Sequence, residues 1–283
     1  MLAHCFLDRR LVNGWNKISI AAKKANSKLP DAGKILRINI PSITSLSKFD
    51  DVLIAKIGTE QFDNFLEKLI KANPRCSTCG DAGDVLVGNL DKVLDDFYEV
   101  VTSKALKSDG SFVDGFGAFL AEAGEQASKA KGAALTLKKM ANNMDEILEG
   151  GYSLKRFEGN IPDIETGHKL DLLLEKIDGD EIIQKSIEMK NWKQAYSIVE
   201  DTYEQFKAYL VSGKEFDYYF SDGLQDAMKV KFQNVFKNSA KAEELFDANP
   251  SFFTNLSSQI NGAQDLVDLA NSGGLVDLIN WVK

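Results

Sequence analysis

Glu188 and Lys190 stand two apart in residues 181–191, where Ile183, Lys185, Ile187 and Met189 alternate with Gln184, Ser186, Glu188 and Lys190. That alternation predicts a β-strand, with Glu188 and Lys190 leaving the same face. Residues 169–177 predict a preceding strand, with Leu170, Leu172 and Leu174 on one face and Asp171, Leu173 and Glu175 on the other. Asp178-Gly179-Asp180 supplies the turn that joins the two strands as a hairpin. Two carboxylates, Asp171 and Glu188, brought to one sheet face repel each other unless a cation sits between them. A divalent ion with oxygen ligands meets that need, and Mg²⁺ is the common choice beside phosphate. Such an ion stabilises charge on an attacked phosphate and lowers the pKa of a bound water. Lys190 beside it is suited to orienting that water or neutralising the developing charge. The plain alternative is a solvated strand face carrying a cross-strand ion pair.

Gln205 and Tyr209 are four apart in residues 197–211, which predict a helix, so they share one helical face. From that face a Gln and a Tyr can position substrate or the metal-bound water; an ordinary helix pair is the competing reading. Trp192 is expected to pack on the core rather than touch substrate, and His168 to lie in a loop. Lys193, Lys207, Lys229, Lys231, Lys237 and Lys241 suggest a phosphate track, though a charge run is more often a wet surface. Cys76 and Cys79 have zinc-ligand spacing, but a zinc site wants four ligands, and His4 and Cys5 complete it only if the N-terminus folds back. A reduced pair or a local disulfide is the simpler expectation. With only two histidines, His4 and His168, a two-histidine ribonuclease centre would need both to converge.

The elements that must position these groups begin near residue 150. The chain has 283 residues, enough for two domains, with 44% hydrophobic and 27% charged residues. Residues 1–140 read as helical with loops. Phe62, Phe65, Leu66, Leu69 and Ile70 form one stripe, and Leu90, Val93, Leu94, Phe97 and Val101 another. Residues 108–117 hold three glycines and predict a loop, and residues 118–144 predict a helix apart from Gly124 and Gly132. Past Gly150-Gly151 the spacing shifts toward strands. After the helix at 197–211, helical pattern continues to about Phe246, and residues 251–283 predict two short helices around Ser272-Gly273-Gly274. The division expected is a mostly helical region, 1–145, and an α/β domain, 146–283, with a small mixed sheet flanked by helices and the hairpin at its centre.

The formal net charge of −8 argues against a simple DNA-coating role, since an acidic chain is not drawn to nucleic acid by its overall field. A hydrolytic metal site is itself acidic and is not excluded. No stretch approaches the roughly 18 uninterrupted apolar residues of a membrane span. Asp8, Arg9 and Arg10 with little apolar run behind them do not make a signal peptide.

The order Asp171, then Ile187-Glu188-Met189-Lys190-Asn191-Trp192, then Gln205-Phe206-Lys207-Ala208-Tyr209 resembles the PD-(D/E)XK nuclease superfamily, in particular members whose following helix bears a Q-x-x-x-Y motif. The match covers roughly residues 150–230. The resemblance implies a restriction-endonuclease-like fold and a Mg²⁺- or Mn²⁺-dependent DNase, with RNA as the alternative substrate. It also implies Asp171, Glu188 and the carbonyl of Met189 as metal ligands, Lys190 as the catalytic lysine, and Gln205 and Tyr209 as accessory residues. The family's additional acidic residue falls on Glu146, Glu149 or Glu158. Leu170 stands where the family's proline would precede the aspartate. A helical front segment before a compact nuclease also resembles the C-terminal toxin region of bacterial polymorphic toxins. That resemblance implies delivery into a target cell without a classical signal peptide, action in the target cytoplasm, and a cognate immunity protein. Repair or restriction nucleases of the same fold, and a non-enzymatic helical interaction protein, are the rival expectations.

Overall fold

The computed structural model describes residues 45–72, 82–165, 167–192 and 194–283. His4, Cys5, Cys76, Cys79 and Lys193 lie outside them, and with them the zinc-spacing expectation. The chain divides into two compact units, the first ending at Ile147 and the second running from Leu148 to Lys283.

The described part of the first unit is helical: α1 (Asp51–Ile57), α2 (Thr59–Ala72), α3 (Ala82–Glu99), a π-helical turn (Val100–Lys104), α4 (Phe116–Ala123) and α5 (Ala127–Ile147). Asp50 caps α1 by accepting from the Leu53 N–H at 2.8 Å. The aromatic residues of the expected stripes meet in the core, with Phe49–Phe62 ring centroids 5.0 Å apart and Phe65–Phe97 5.4 Å apart. Of the two interruptions expected over 118–144, one is a helix break. The break falls at Gly124, where a Cβ would lie 2.9 Å from the Asn64 side chain, whereas Gly132 stays inside α5. The loop expected at 108–117 ends sooner, because α4 already contains Gly117.

The second unit is α/β. It contains a four-stranded mixed sheet in the order β1 (Ser153–Asn160), β2 (Lys169–Asp178), β3 (Glu181–Lys190) and β4 (Glu215–Phe220). β1, β2 and β3 form an antiparallel meander, and β4 lies parallel to β3. The β2–β3 hairpin occupies the centre of the sheet, its register closing at Asp178↔Glu181 around Gly179, whose φ is 63°. A parallel partner needs a crossover, and α6 (Glu200–Ser212) provides it. Two acidic residues in its first turn suit the helix N-terminus. At the other end, Gly213 takes the left-handed conformation at φ 64° and donates to the Leu210 carbonyl at 3.0 Å.

β4 corrects the sequence reading, which runs helical pattern through to Phe246. Glu215-Phe216-Asp217-Tyr218-Tyr219-Phe220 is buried on both faces from its second residue onward, so it lacks the alternation that marks a half-exposed strand. The C-terminal region also differs: α7 (Gln225–Phe236) and α8 (Ser239–Ala248) are followed by three short helices rather than two, α9 (Pro250–Leu256), α10 (Ala263–Ser272) and α11 (Leu275–Leu278). Beyond α11, residues 281–283 run beside β4. Tyr218 donates to the Trp281 carbonyl at 2.6 Å, and Lys283 donates to the Tyr218 carbonyl at 2.8 Å. The strand edge that would otherwise be open is thereby paired.

Phe206 on α6 holds the centre of this unit's core. Its ring lies 5.7 Å from Phe216 on β4, 5.3 Å from Phe232 on α7 and 5.6 Å from Trp281. Replacing Phe206 by Ala is expected to cost ~3–5 kcal/mol, because the vacated ring leaves a cavity bounded by three elements. Urea denaturation followed by circular dichroism measures it, and a loss below ~1 kcal/mol would show that the site refills.

Candidate active site

The antiparallel register Leu172↔Ile187, continued by one residue, sets Asp171 opposite Glu188. Directly opposed residues share a face, so the two carboxylates face the same side of the sheet. At this point the ladder gives way to a side chain: Asp171 Oδ2 accepts the backbone N–H of Met189 at 2.6 Å. Lys190 emerges on the same face and places its Nζ 2.7 Å from Glu188 Oε1. Glu188 is 7% exposed, so this is an enclosed ion pair rather than the wet strand face of the plain alternative.

α6 covers this face. Tyr209 Oη lies 3.1 Å from Glu188 Oε2 and 3.4 Å from the Lys169 carbonyl. Its single proton favours the nearer, charged acceptor. Gln205 Nε2 donates to the same Lys169 carbonyl at 2.9 Å. The i, i+4 pair therefore has divided duties, Tyr209 on the carboxylate and Gln205 on the start of the strand that carries Asp171. Among the residues expected at the site, Asp171, Glu188, Lys190 and Tyr209 come together, Met189 meets Asp171 through its backbone, and Gln205 stands one contact away.

Burial pushes the Asp171 carboxyl well above the usual carboxylate range; the charges of Glu188 and Glu158 add to it, while the Met189 N–H and Lys190 oppose it. Of Glu146, Glu149 and Glu158, it is thus Glu158 whose charge bears on Asp171. The β1–β2 register agrees, since Phe157↔Leu172 and Gly159↔Leu170 leave Glu158 opposite Asp171. Glu158 adopts φ 47°, a left-handed conformation that costs a non-glycine residue roughly 1–3 kcal/mol and is often kept at functional sites. Glu146 belongs to the first unit, where Asn143 donates to it, and Glu149 is exposed. Burial first, and then the Glu188 charge, pushes the phenols of Tyr209 and Tyr218 far up, so both remain protonated.

The donor set fits a hard divalent cation. Carboxylate oxygens suit Mg²⁺ or Mn²⁺, and a cation would offset the burial, and after it the Glu188 charge, that hold the Asp171 carboxyl high. Among the described residues no group of three or more His, Cys, Asp or Glu is placed to hold a metal ion. Two carboxylates suffice for Mg²⁺, which keeps waters and takes substrate phosphate as its remaining ligands.

Trp192 packs against the core beside Phe220, at 5.4 Å between ring centroids, and His168 lies in the loop before β2. Two members of the lysine track are engaged locally: Lys207 pairs with Glu244, and Lys241 sits 3.6 Å from Glu200 and 4.2 Å from the centre of the Tyr203 ring. Sequence reasoning missed Tyr218, which β4 pairs with Glu188. The aromatic run at residues 218–220 was the available signal. None of the described helices is long and apolar enough to cross a membrane. No protein-family model matches the chain, and no curated protein or solved structure matches it at a significant level.

Proposed function

We propose that the second unit is a divalent-cation-dependent nuclease that hydrolyses phosphodiester bonds of DNA. The observation that carries this reading is the meeting of Asp171, Glu188 and Lys190 on one sheet face, with Lys190 Nζ 2.7 Å from Glu188. The mixed sheet with the β2–β3 hairpin at its centre, flanked by helices, supports the restriction-endonuclease-like fold that the PD-(D/E)XK resemblance implies.

Asp171 and Glu188 would hold Mg²⁺ or Mn²⁺, with the Met189 carbonyl as the further ligand that the resemblance implies. A divalent ion held there would supply Lewis-acid stabilisation of the attacked phosphate and a more acidic water. Tyr209 fixes the Glu188 carboxylate, and Gln205 fixes the Lys169 end of the strand bearing Asp171, so that the two acids keep their separation. Lys190 orients the attacking water and offsets charge gathering on the phosphate oxygens. The P–O bond to the leaving sugar oxygen breaks as the water oxygen bonds to phosphorus; the proton that the water gives up passes to solvent, and the sugar oxygen takes one from solvent as it leaves. By resemblance to polymorphic toxin tips, the setting is that of an antibacterial effector delivered into a target cell and neutralised by an immunity protein.

Purified chain with Mg²⁺ or Mn²⁺ is expected to convert supercoiled plasmid to nicked and linear forms, and EDTA to stop the conversion. Cleavage that continues undiminished in EDTA, or no cleavage with either ion, sinks the reading. An RNA substrate in parallel decides between the two nucleic acids.

A further inference from the structure

On the reading of Asp171 and Glu188 as a cation site, we propose that the Tyr218 hydroxyl is a positioning group for the Glu188 carboxylate, set beside it to take up one of its oxygens when a cation is bound. Tyr218 is 0% exposed, and among the described residues its hydroxyl has no hydrogen-bond partner. A hydroxyl shut away from water and left unpaired is costly, and such groups are rare in folded proteins.

Packing does not require this one. The residues two positions away on the same face of β4 are Phe216 and Phe220, both buried in the same aromatic cluster. The Tyr218 ring itself is accommodated as a phenyl would be, 5.5 Å from Phe232 and 6.2 Å from Phe220 between centroids. The ring fills the core, and the oxygen is surplus to that task.

Register sets the side of the sheet, and the charge of Glu188 acts on the hydroxyl there. β3 and β4 pair Glu188 with Tyr218, so both side chains leave one face. The Tyr209 ring stands edge-on to Tyr218 at 5.7 Å while its own hydroxyl bonds Glu188 Oε2. Glu188 Oε1 is held by Lys190. A carboxylate offers about four lone-pair sites, so a second tyrosine donor is compatible with the one already there. Burial and the nearby Glu188 charge keep Tyr218 protonated and therefore able to donate. With a cation drawing on Glu188, two tyrosine hydroxyls and an ammonium are the groups that fix its orientation.

The test uses the full chain without substrate. Mn²⁺ binding is measured by titration calorimetry for the parent and for Tyr218→Phe, and urea midpoints are measured in EDTA for both. The expected result is Mn²⁺ binding about tenfold weaker in Tyr218→Phe, the worth of one hydrogen bond to a charged group, with a urea midpoint equal to or above the parent's. Tyr209→Phe, which loses a bond already made, is expected to lower both. Mn²⁺ binding by Tyr218→Phe within twofold of the parent overturns the assignment and leaves the metal centre standing. A lowered urea midpoint in Tyr218→Phe marks the hydroxyl as structural and also overturns it. A parent chain that takes up no Mn²⁺ removes the cation site and the assignment together.

Discussion

With Lys190 replaced by Ala, plasmid DNA in Mg²⁺ is cleaved at least ~100-fold more slowly, the usual loss when a group that stabilises transition-state charge is removed. Lys190 touches the acid pair directly, through its 2.7 Å contact with Glu188. Its loss leaves two carboxylates facing each other with nothing positive between them until a cation arrives. Lys190→Arg keeps the charge but replaces a compact ammonium with a broad planar fork, so it is expected to recover only part of the rate. Initial rates of supercoiled-plasmid loss, at matched protein and Mg²⁺ concentrations, separate the three chains. An Ala variant as fast as the parent would remove Lys190 from the chemistry.

Asp171→Asn is expected to be inactive and yet, in EDTA near neutral pH, more heat-stable than the parent by a few degrees. The sign follows from the carboxyl's environment. Burial and the neighbouring acids raise the Asp171 pKa in the folded chain above its value in the unfolded one. The folded state therefore holds the proton more tightly, and the parent's stability falls as pH rises from the ordinary Asp range through the elevated folded value. Above that window the parent carries a repulsion that the neutral amide lacks, while the Asn side-chain oxygen can still accept the Met189 N–H. Below the ordinary Asp range the difference closes. Divalent cation reverses the order: ligand at 100 times its dissociation constant stabilises by ~2.7 kcal/mol, and only the parent gains it. Thermal melts at several pH values, with EDTA and with Mn²⁺, give all four comparisons. Equal Mn²⁺-induced shifts in the two chains would sink Asp171 as a ligand.

The β2–β3 hairpin was legible because its charged residues and its periodicity coincide. Leu170, Leu172 and Leu174 against Asp171, Leu173 and Glu175 state both the strand and the face. Gln205 and Tyr209 were legible as a pair because helical spacing alone aligns them. β4 was not, since a strand buried on both sides offers no alternation, and Phe216, Tyr219 and Phe220 read equally well as a helical core. Glu158 was undecidable among three glutamates because the choice depends on pairing across β1 and β2 and on a backbone turned to φ 47°, neither of which local pattern encodes. Gly124 and Gly132 were equal candidates for a helix break; a Cβ at Gly124 would meet Asn64 of another helix, whereas Gly132 stays helical with nothing near it.

The pairing of residues 281–283 with β4 has a bearing on timing. Tyr218, which stands next to Glu188 in the sheet, receives its last backbone partners from Trp281 and Lys283. A ribosome reads the chain from the other end, so every acid and the ammonium of the centre are made well before the segment that closes the sheet beside them. During synthesis Asp171, Glu188 and Lys190 are thus present before β4 has its outer backbone partner, and closure of the sheet waits on residues 281–283.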